Sequence, residues 1–347
     1  VEDGQRVSKR VNYRPTLFNK VHEYTGYKTL DGQHVLPKEL DSIKEAKAWV
    51  EQRSNQDILY GNTQYPYCYI SDEYPNDVPW DKDQILIVTI DIEVECENGF
   101  PNPQDAAEPL LSITMKNHQN KKIVVWGLHE FQNSREDVDY RLCRDEDDLL
   151  IKFLDEWRMI YPDIITGWNT EFFDIPYICN RIVSLFGEDE LKRLSPWGSV
   201  REREVYQLGR RQQAYDIAGI ASLDFMALYR KFTYTAQESY ALNHIATVEL
   251  GEQKDGNPYE TFSEWYQKDW QSFIEYNIQD VEIVDKLEDK MRLVELCLTM
   301  AYDAKVNYTD VLGSVKYWDI LIYNYLRERN IVIPQKVAHE KAEKFEG

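Results

Sequence analysis

Cysteine is scarce here, and it is badly spaced for chemistry. The 347 residues carry five (Cys68, Cys96, Cys143, Cys179 and Cys297), widely scattered. An odd count without a C-x-x-C argues against a disulfide framework and against a zinc site. Reduced thiols in a cytosolic compartment are the simple reading. The six histidines offer no H-E-x-x-H or similar ligand spacing. No window approaches the roughly 20 apolar residues needed to cross a bilayer. Nor does any segment read as a secretory signal, so no membrane partner is expected. Positive charge is short as well, with 40 Lys and Arg against 61 Asp and Glu and a formal net charge of −21. A surface that tracks phosphates is normally basic. Nucleic-acid binding would therefore need local basic patches around an acidic centre. There is no internal repeat and no low-complexity tract.

What is present is a chain long enough for two domains and rich in Tyr and Trp. Residues 1–84 are polar and mixed, and they read as a separate small α+β domain. Helical spacing runs from Leu40 to Arg53, and Cys68-Tyr69-Ile70 is a short strand candidate. From 85 the pattern changes. An apolar strand over 85–93 is followed by a turn at 98–103, then strands at Leu110–Met115 and Lys122–Trp126. A helix over about 145–159 shows one apolar face (Leu149, Leu150, Phe153, Leu154, Trp157). A short strand at 164–168 and a helix over 175–186 complete a β-β-β-α-β-α order, which implies a mixed sheet covered by helices. Residues 199–224 suggest a basic hairpin or long loop, then a strand at 217–223. Helices are expected at 224–232, 239–247 and, as one long region, 270–298. A further apolar-periodic helix over 315–326 lies in a segment, 294–335, expected to rejoin the first domain. The chain starts at Val1 and closes on an unpatterned tail, so a fragment of something longer is expected.

The chemistry gathers around the end of strand 85–93. Asp91 and Glu93 sit at i and i+2, so both side chains leave one face of the strand. Two carboxylates held that close repel unless a cation lies between them. Taken alone, the pair also fits a solvated strand end. Asp174 lies at a strand-to-helix transition, where capping is the ordinary alternative. Tyr276 and Asp280 are i and i+4 on a helix and share a face, which a simple surface hydrogen bond would also explain. Four acids on three elements would suit two divalent ions about 3.5–4 Å apart, the arrangement used for phosphodiester cleavage. Carboxylate and water ligands favour Mg²⁺ or Mn²⁺ over zinc.

In this order the pieces resemble a known family. Asp91-x-Glu93, the Asn169…Phe173-Asp174 segment and Tyr276-x-x-x-Asp280 look like the three motifs of the DEDDy class of 3′→5′ exonucleases. Gly167-Trp168-Asn169 through Arg181, Ser222-Leu223-Asp224 and Tyr276 through Glu282 are similar to the family B replicative DNA polymerases of T-even-type phages. So are Val315-Lys316-Tyr317-Trp318-Asp319 and Val332-Ile333-Pro334-Gln335. The resemblance covers nearly the whole chain. It implies an α/β, ribonuclease-H-like mixed sheet flanked by helices over 85–293, a smaller α+β domain over 1–84 joined by 294–335, and the start of a polymerase region at 336–347. The polymerase signatures D-x-x-S-L-Y-P and D-T-D are absent, so no polymerising activity is expected, and the family's first N-terminal strand is missing.

The implied site has Asp91, Glu93, Asp174 and Asp280 holding two Mg²⁺ (or Mn²⁺) ions, with Tyr276 orienting the attacking water. A phenol with a pKa near 10 is a poor base at neutral pH. Phe100 would pack on the terminal bases, although a plain turn hydrophobe reads the same. Asn169 and Phe173 would help hold the nucleotide. Arg210 and Arg211, on a hairpin near 207–213 that matches a strand-separating hairpin of the family, could meet backbone phosphates or simply be solvated. The implied partners are a single-stranded DNA 3′ end, primer–template DNA, a sliding clamp and other replisome proteins, in the cytoplasm of an infected host cell, with the fragment itself monomeric. Two other readings stay open at this point: a DEDD-type exoribonuclease, and a non-catalytic nucleic-acid-binding module.

Overall fold

The computed structural model describes residues 7, 9–53, 59–97, 99–207, 209–252 and 256–335. The expected polymerase start at 336–347 lies outside them. The chain divides into two compact units. One gathers the described residues up to Pro79, Met300–Val306 and those from Gly313 onward; the other holds Trp80–Thr299 and Asn307–Leu312.

The smaller unit opens with β1 (Thr16–Lys20), β2 (Lys28–Thr29) and β3 (Val35–Glu39), followed by helices α1 (Ile43–Arg53) and α2 (Tyr65–Glu73). β1 and β3 pair antiparallel over a core of Leu17, Leu40, Ala46, Trp49, Leu59 and Tyr65. The strand expected at Cys68–Ile70 is instead the middle of α2. Pro66 stands in that helix's first turn, where its fixed φ favours helix. Tyr65, Cys68 and Ser71 are buried at three-residue steps. Three apolar residues alone cannot separate the two periods.

The larger unit is built on a six-stranded sheet. Its strands are β4 (Ile87–Val94), β5 (Leu110–Asn117), β6 (Ile123–Gly127), β7 (Val138–Leu142), β8 (Ile164–Thr166) and β11 (Ala221–Ser222), in the order β11-β8-β4-β5-β6-β7. β4 is central, antiparallel to β5 and parallel to β8. β7 is a strand that the sequence pattern does not announce. It is a half-exposed edge strand in a polar stretch, so no apolar run marks it. Between β7 and β8 runs α3 (Glu146–Ile160). It is capped by Asp145, whose carboxylate accepts the Asp148 N–H, and it has three acids in its first turn, as the helix dipole favours. α4 (Asp174–Phe186) and a short α5 (Glu188–Leu191) follow. The β9 (Val200–Gln207) and β10 (Arg210–Ile217) hairpin comes next, then α6 (Phe225–Phe232), α7 (Leu242–Leu250), α8 (Phe262–Lys268), α9 (Trp270–Met291) and α10 (Leu293–Ala304). The strand expected over 217–223 is thus the end of β10 and the two-residue β11.

Period two decides what β4 shows to each side. Val88, Ile90, Ile92 and Val94 pack with α3 and α4 in the main core. The alternate residues, Asp91 and Glu93 among them, face the other way, where Phe273, Ile274, Ile278 and Val281 of α9 pack on Ile123 and Val125 of β6. The expected single helix over 270–298 breaks at Arg292, which adopts left-handed φ of 53°. The buried Glu288 carboxylate then accepts the N–H groups of Val294 and Glu295 and starts α10. The apolar stripe runs through both helices, which hides the break in the sequence. α11 (Ser314–Arg327) and β12 (Ile331–Val332) return to the smaller unit. There Asn324 accepts from Ser71 at 2.6 Å, and β12 pairs parallel with β2.

Candidate active site

Three of the expected acids converge. One carboxylate oxygen from each of Asp91, Glu93 and Asp280 lies within 4.8 Å of the others. Asp91 and Glu93 come from one face of β4, and Asp280 from α9 packed over that face. Glu93 and Asp280 are buried, and Asp91 is half-buried. Asp91 Oδ2 accepts a hydrogen bond of 2.6 Å from Asn277 Nδ2.

Asp174 stands beside this trio rather than within it. It is the first residue of α4, and the cap position belongs to Phe173, which makes no side-chain cap bond. The Asp174 carboxylate crosses to β4 instead, where Oδ1 accepts the Ile92 N–H at 3.0 Å. Ile92 sits between Asp91 and Glu93. Burial pushes the Asp174 carboxyl well above the ordinary range, and the nearby Asp224 and Asp280 add to the shift.

The segment before Asp174 is pinned to allow that crossing. A Cβ at Gly167 would lie 2.5 Å from the Ile90 carbonyl oxygen and 2.3 Å from Thr170 Cγ2, so only glycine lets the chain pass β4 there. Asn169 takes left-handed φ of 66°, and its carbonyl accepts the N–H groups of Phe172 and Phe173. The buried Asp224 carboxylate accepts from Glu171 N and caps α6 through Ala227 N.

Tyr276 lies one turn from Asp280, its ring edge-on to Trp265 with centroids 4.8 Å apart. Burial raises its phenol far above the ordinary value, and the charges of Asp280, Glu93 and Asp91 raise it further. It therefore stays protonated and can donate. Against Glu93 opens a cavity of about 400 Å³ lined by Ile92, Val94, Cys96, Phe100, Phe173 and Phe262 among others. Phe100 is 86 % exposed at its rim, with its ring 5.3 Å from that of Phe173. The turn residue Asn98 lies outside the described residues.

The two arginines of the hairpin are placed less tellingly. Arg210 pairs with Gln207 through the backbone at the end of β10, and its side chain lies outside the described residues. Arg211 is 62 % exposed and ion-paired to Glu204. Midway along the hairpin, Arg203 bridges Asp216 and Glu171 and so ties the hairpin to the segment that carries Asn169 and Phe173. Asn277, Ser112 and Thr114, which interlock behind Asp91, are the polar side chains that the motifs do not single out. A clue was available: Asn277 interrupts the apolar face of α9, next to Tyr276.

Comparison with known proteins places this geometry. Residues 49–245 match the model of the DNA polymerase family B exonuclease domain. Over 97 % of its length the chain is 31 % identical to the DNA-directed DNA polymerase of Escherichia phage RB69. Over 98 % it is 30 % identical to that of Enterobacteria phage T4. It spans about 40 % of the length of each of these relatives. Similarity extends to DNA polymerase 1 of Sulfurisphaera ohwakuensis, with 27 % identity over 86 % of this chain and 32 % of that protein. The chain belongs to the exonuclease-domain family of the family B DNA polymerases.

Proposed function

We propose that this chain is a 3′→5′ exonuclease that hydrolyses the terminal phosphodiester of single-stranded DNA, the proofreading part of a phage-type family B polymerase. The carrying observation is the meeting of Asp91, Glu93 and Asp280 within 4.8 Å beside an aromatic cavity that opens onto Glu93. On this reading residues 85–293 are a ribonuclease-H-like exonuclease domain, and 1–84 with 294–335 form a second domain.

The donor set is all carboxylate, which fits Mg²⁺ or Mn²⁺. Asp91, Glu93, Asp174 and Asp280 would hold two such ions. Bound there, the ions would supply a deprotonated water near neutral pH and neutralise charge on the leaving 3′ oxygen. The protein's own work is positional. Tyr276, kept protonated, donates its hydroxyl hydrogen to the attacking water and fixes its lone pair. Glu93 accepts a hydrogen bond from the same water. Phe100 and Phe173 take the terminal bases by stacking, worth about 1–3 kcal/mol per base and blind to sequence. Asn169 contacts the nucleotide, and Arg210 and Arg211 steer the strand backbone. Primer–template DNA, a sliding clamp and further replisome proteins in the infected host cell are the partners of the longer protein. Among the described residues, no helix is long and apolar enough to cross a membrane.

The test is an end-labelled single-stranded oligonucleotide with Mg²⁺, with EDTA, and with Asp91→Ala/Glu93→Ala. Several kcal/mol of lost charge stabilisation corresponds to about a thousandfold or more in rate. A ladder shortening from the 3′ end, abolished by EDTA and by the double variant, is expected. Binding without cleavage would reject the reading in favour of a binding module, and faster loss of an RNA oligonucleotide would redirect it to an exoribonuclease.

A further inference from the structure

Behind the acid trio lies a polar lock that the exonuclease reading does not use. In the β4–β5 pairing, Asp91 stands directly opposite Thr114, and Glu93 opposite Ser112. Cross-strand partners share a face, so both hydroxyls point to the side that carries the carboxylates. Asn277, on the face of α9 next to Tyr276, drops its amide between them. Its Oδ1 accepts from Ser112 Oγ at 3.0 Å and from Thr114 Oγ1, and its Nδ2 donates to Asp91 Oδ2 at 2.6 Å. Ser112, Thr114 and Asn277 are completely buried.

The bond to Asp91 fixes the amide's direction. A flip would set the amide carbonyl against the Asp91 carboxylate, acceptor against acceptor, whereas the two hydroxyls can rotate to suit either face of the amide. Both lone pairs of Oδ1 are used by donors, which a buried amide needs. With the amide so held, the NH₂ can only donate to Asp91. That bond fixes the rotation of the carboxylate plane.

We propose that Asn277, oriented by Ser112 and Thr114, is a positioning residue that presets the Asp91 carboxylate for divalent-cation binding. The proposal rests on the reading of the acid trio as a metal centre. It adds a specific claim: the helix that supplies Asp280 also aims Asp91. Groups that orient a ligand from behind typically carry 10–100-fold in metal affinity or activity, in order of magnitude. Here the effect is expected to act on cation binding, before any DNA is present.

The experiment measures Mn²⁺ binding directly, by the EPR signal of free Mn²⁺, in wild type, Asn277→Ala, Thr114→Val and Asp91→Asn. Melting in EDTA and oligonucleotide affinity in EDTA are recorded alongside. Asn277→Ala should weaken Mn²⁺ by about tenfold or more while DNA affinity in EDTA stays at the wild-type value. Thr114→Val, nearly isosteric and leaving the amide one donor short, should weaken Mn²⁺ by a smaller factor. Should Asn277→Ala fail to fold, Thr114→Val decides the matter. Wild-type Mn²⁺ affinity in a folded Asn277→Ala, or in Thr114→Val where the first does not fold, overturns the proposal and leaves the metal centre standing. Mn²⁺ affinity that is unchanged even in Asp91→Asn overturns the metal-centre reading and this proposal with it.

Discussion

α9 presses two buried carboxylates against the same strands, and their surroundings are opposite. Asp285 meets positive charge supplied by the protein. Lys116 Nζ lies 3.0 Å away and Lys121 Nζ 2.8 Å, while the His118 ring, 3.4 Å off, is uncharged near neutral pH. These bonds hold its carboxyl below the ordinary range even though burial opposes them. Asp280, nearer the start of the helix, meets Asp91 and Glu93, and its charge helps raise both Asp174 and Tyr276. One end of the helix closes its own charge balance. The other end concentrates negative charge, which suits a cation arriving from solution. A buried carboxylate is thus not informative by itself; the sign of what surrounds it is.

The contrast breaks most sharply with a matched pair of variants. Asp285→Asn removes the acid from a buried network and strands Lys116, whose side chain is 9 % exposed. Losing one partner of a buried pair costs about 3–5 kcal/mol, so urea unfolding should move by that amount while the exonuclease rate per folded molecule holds. Asp280→Asn should do the reverse. Removing one of three crowded carboxylates should leave the EDTA unfolding midpoint unchanged or higher, with the rate lost. Equal stability losses in the two variants would erase the distinction between the two ends.

Tyr276→Phe sharpens the acidic end. The phenol is held protonated, so on the proposed mechanism its loss removes a water-orienting donor and no base. A displacement of the attacking group by about 1 Å can cost on the order of a hundredfold. The expected result is a fall of that size in kcat with KM for the oligonucleotide nearly constant. A variant whose rate regains the wild-type value at high pH would show instead that Tyr276 acts as a base.

The same two ends explain what the sequence could and could not disclose. Asp91 and Glu93 stand out because an apolar run ends on them. Asp280 stands out through its i,i+4 relation to Tyr276 and the family resemblance. Asn277 stays hidden, because its meaning depends on Ser112 and Thr114, which reach it only after β5 pairs with β4. Lys116, His118, Lys121 and Asp285 are ordinary surface residue types in the sequence, and only tertiary packing brings them together. Cys68–Ile70 in α2 reads equally well as a strand, because three apolar residues fit either period. β7 leaves no apolar signature, because an edge strand need not be apolar. The order of the other sheet elements, and the helices that flank them, were legible from apolar periodicity over longer windows.

The smallest expected effect tests the closed end through pH. Burial of His118 lowers its pKa from 6.5 to about 4, with Lys121 and Lys116 reinforcing the shift and Asp285 and Asp289 opposing it. The ring nitrogen Nε2 meets Thr89 Oγ1 at 2.6 Å, a contact that the neutral imidazole can keep. Between pH 4 and 6.5 the unfolded chain binds more protons at this position than the folded one. Stability from His118 is therefore complete above about pH 6.5 and declines as pH falls toward 4, by at most about 1.4 kcal/mol per pH unit. Asp285, held below the ordinary carboxylate range, loses its own contribution only at still lower pH, so the two windows separate. Asp224, raised to about 6 by burial, has the opposite sign, its contribution being lost as pH rises through that value. The difference between wild type and His118→Gln cancels such terms. Gln keeps a polar group near Thr89 but does not titrate, so the difference in unfolding free energy should change with pH between 4 and 6.5 and be flat above. A difference that is flat throughout would mean that His118 binds its proton alike in the folded and unfolded chain, and one that changes above pH 6.5 instead would mean that the ring is protonated in the fold.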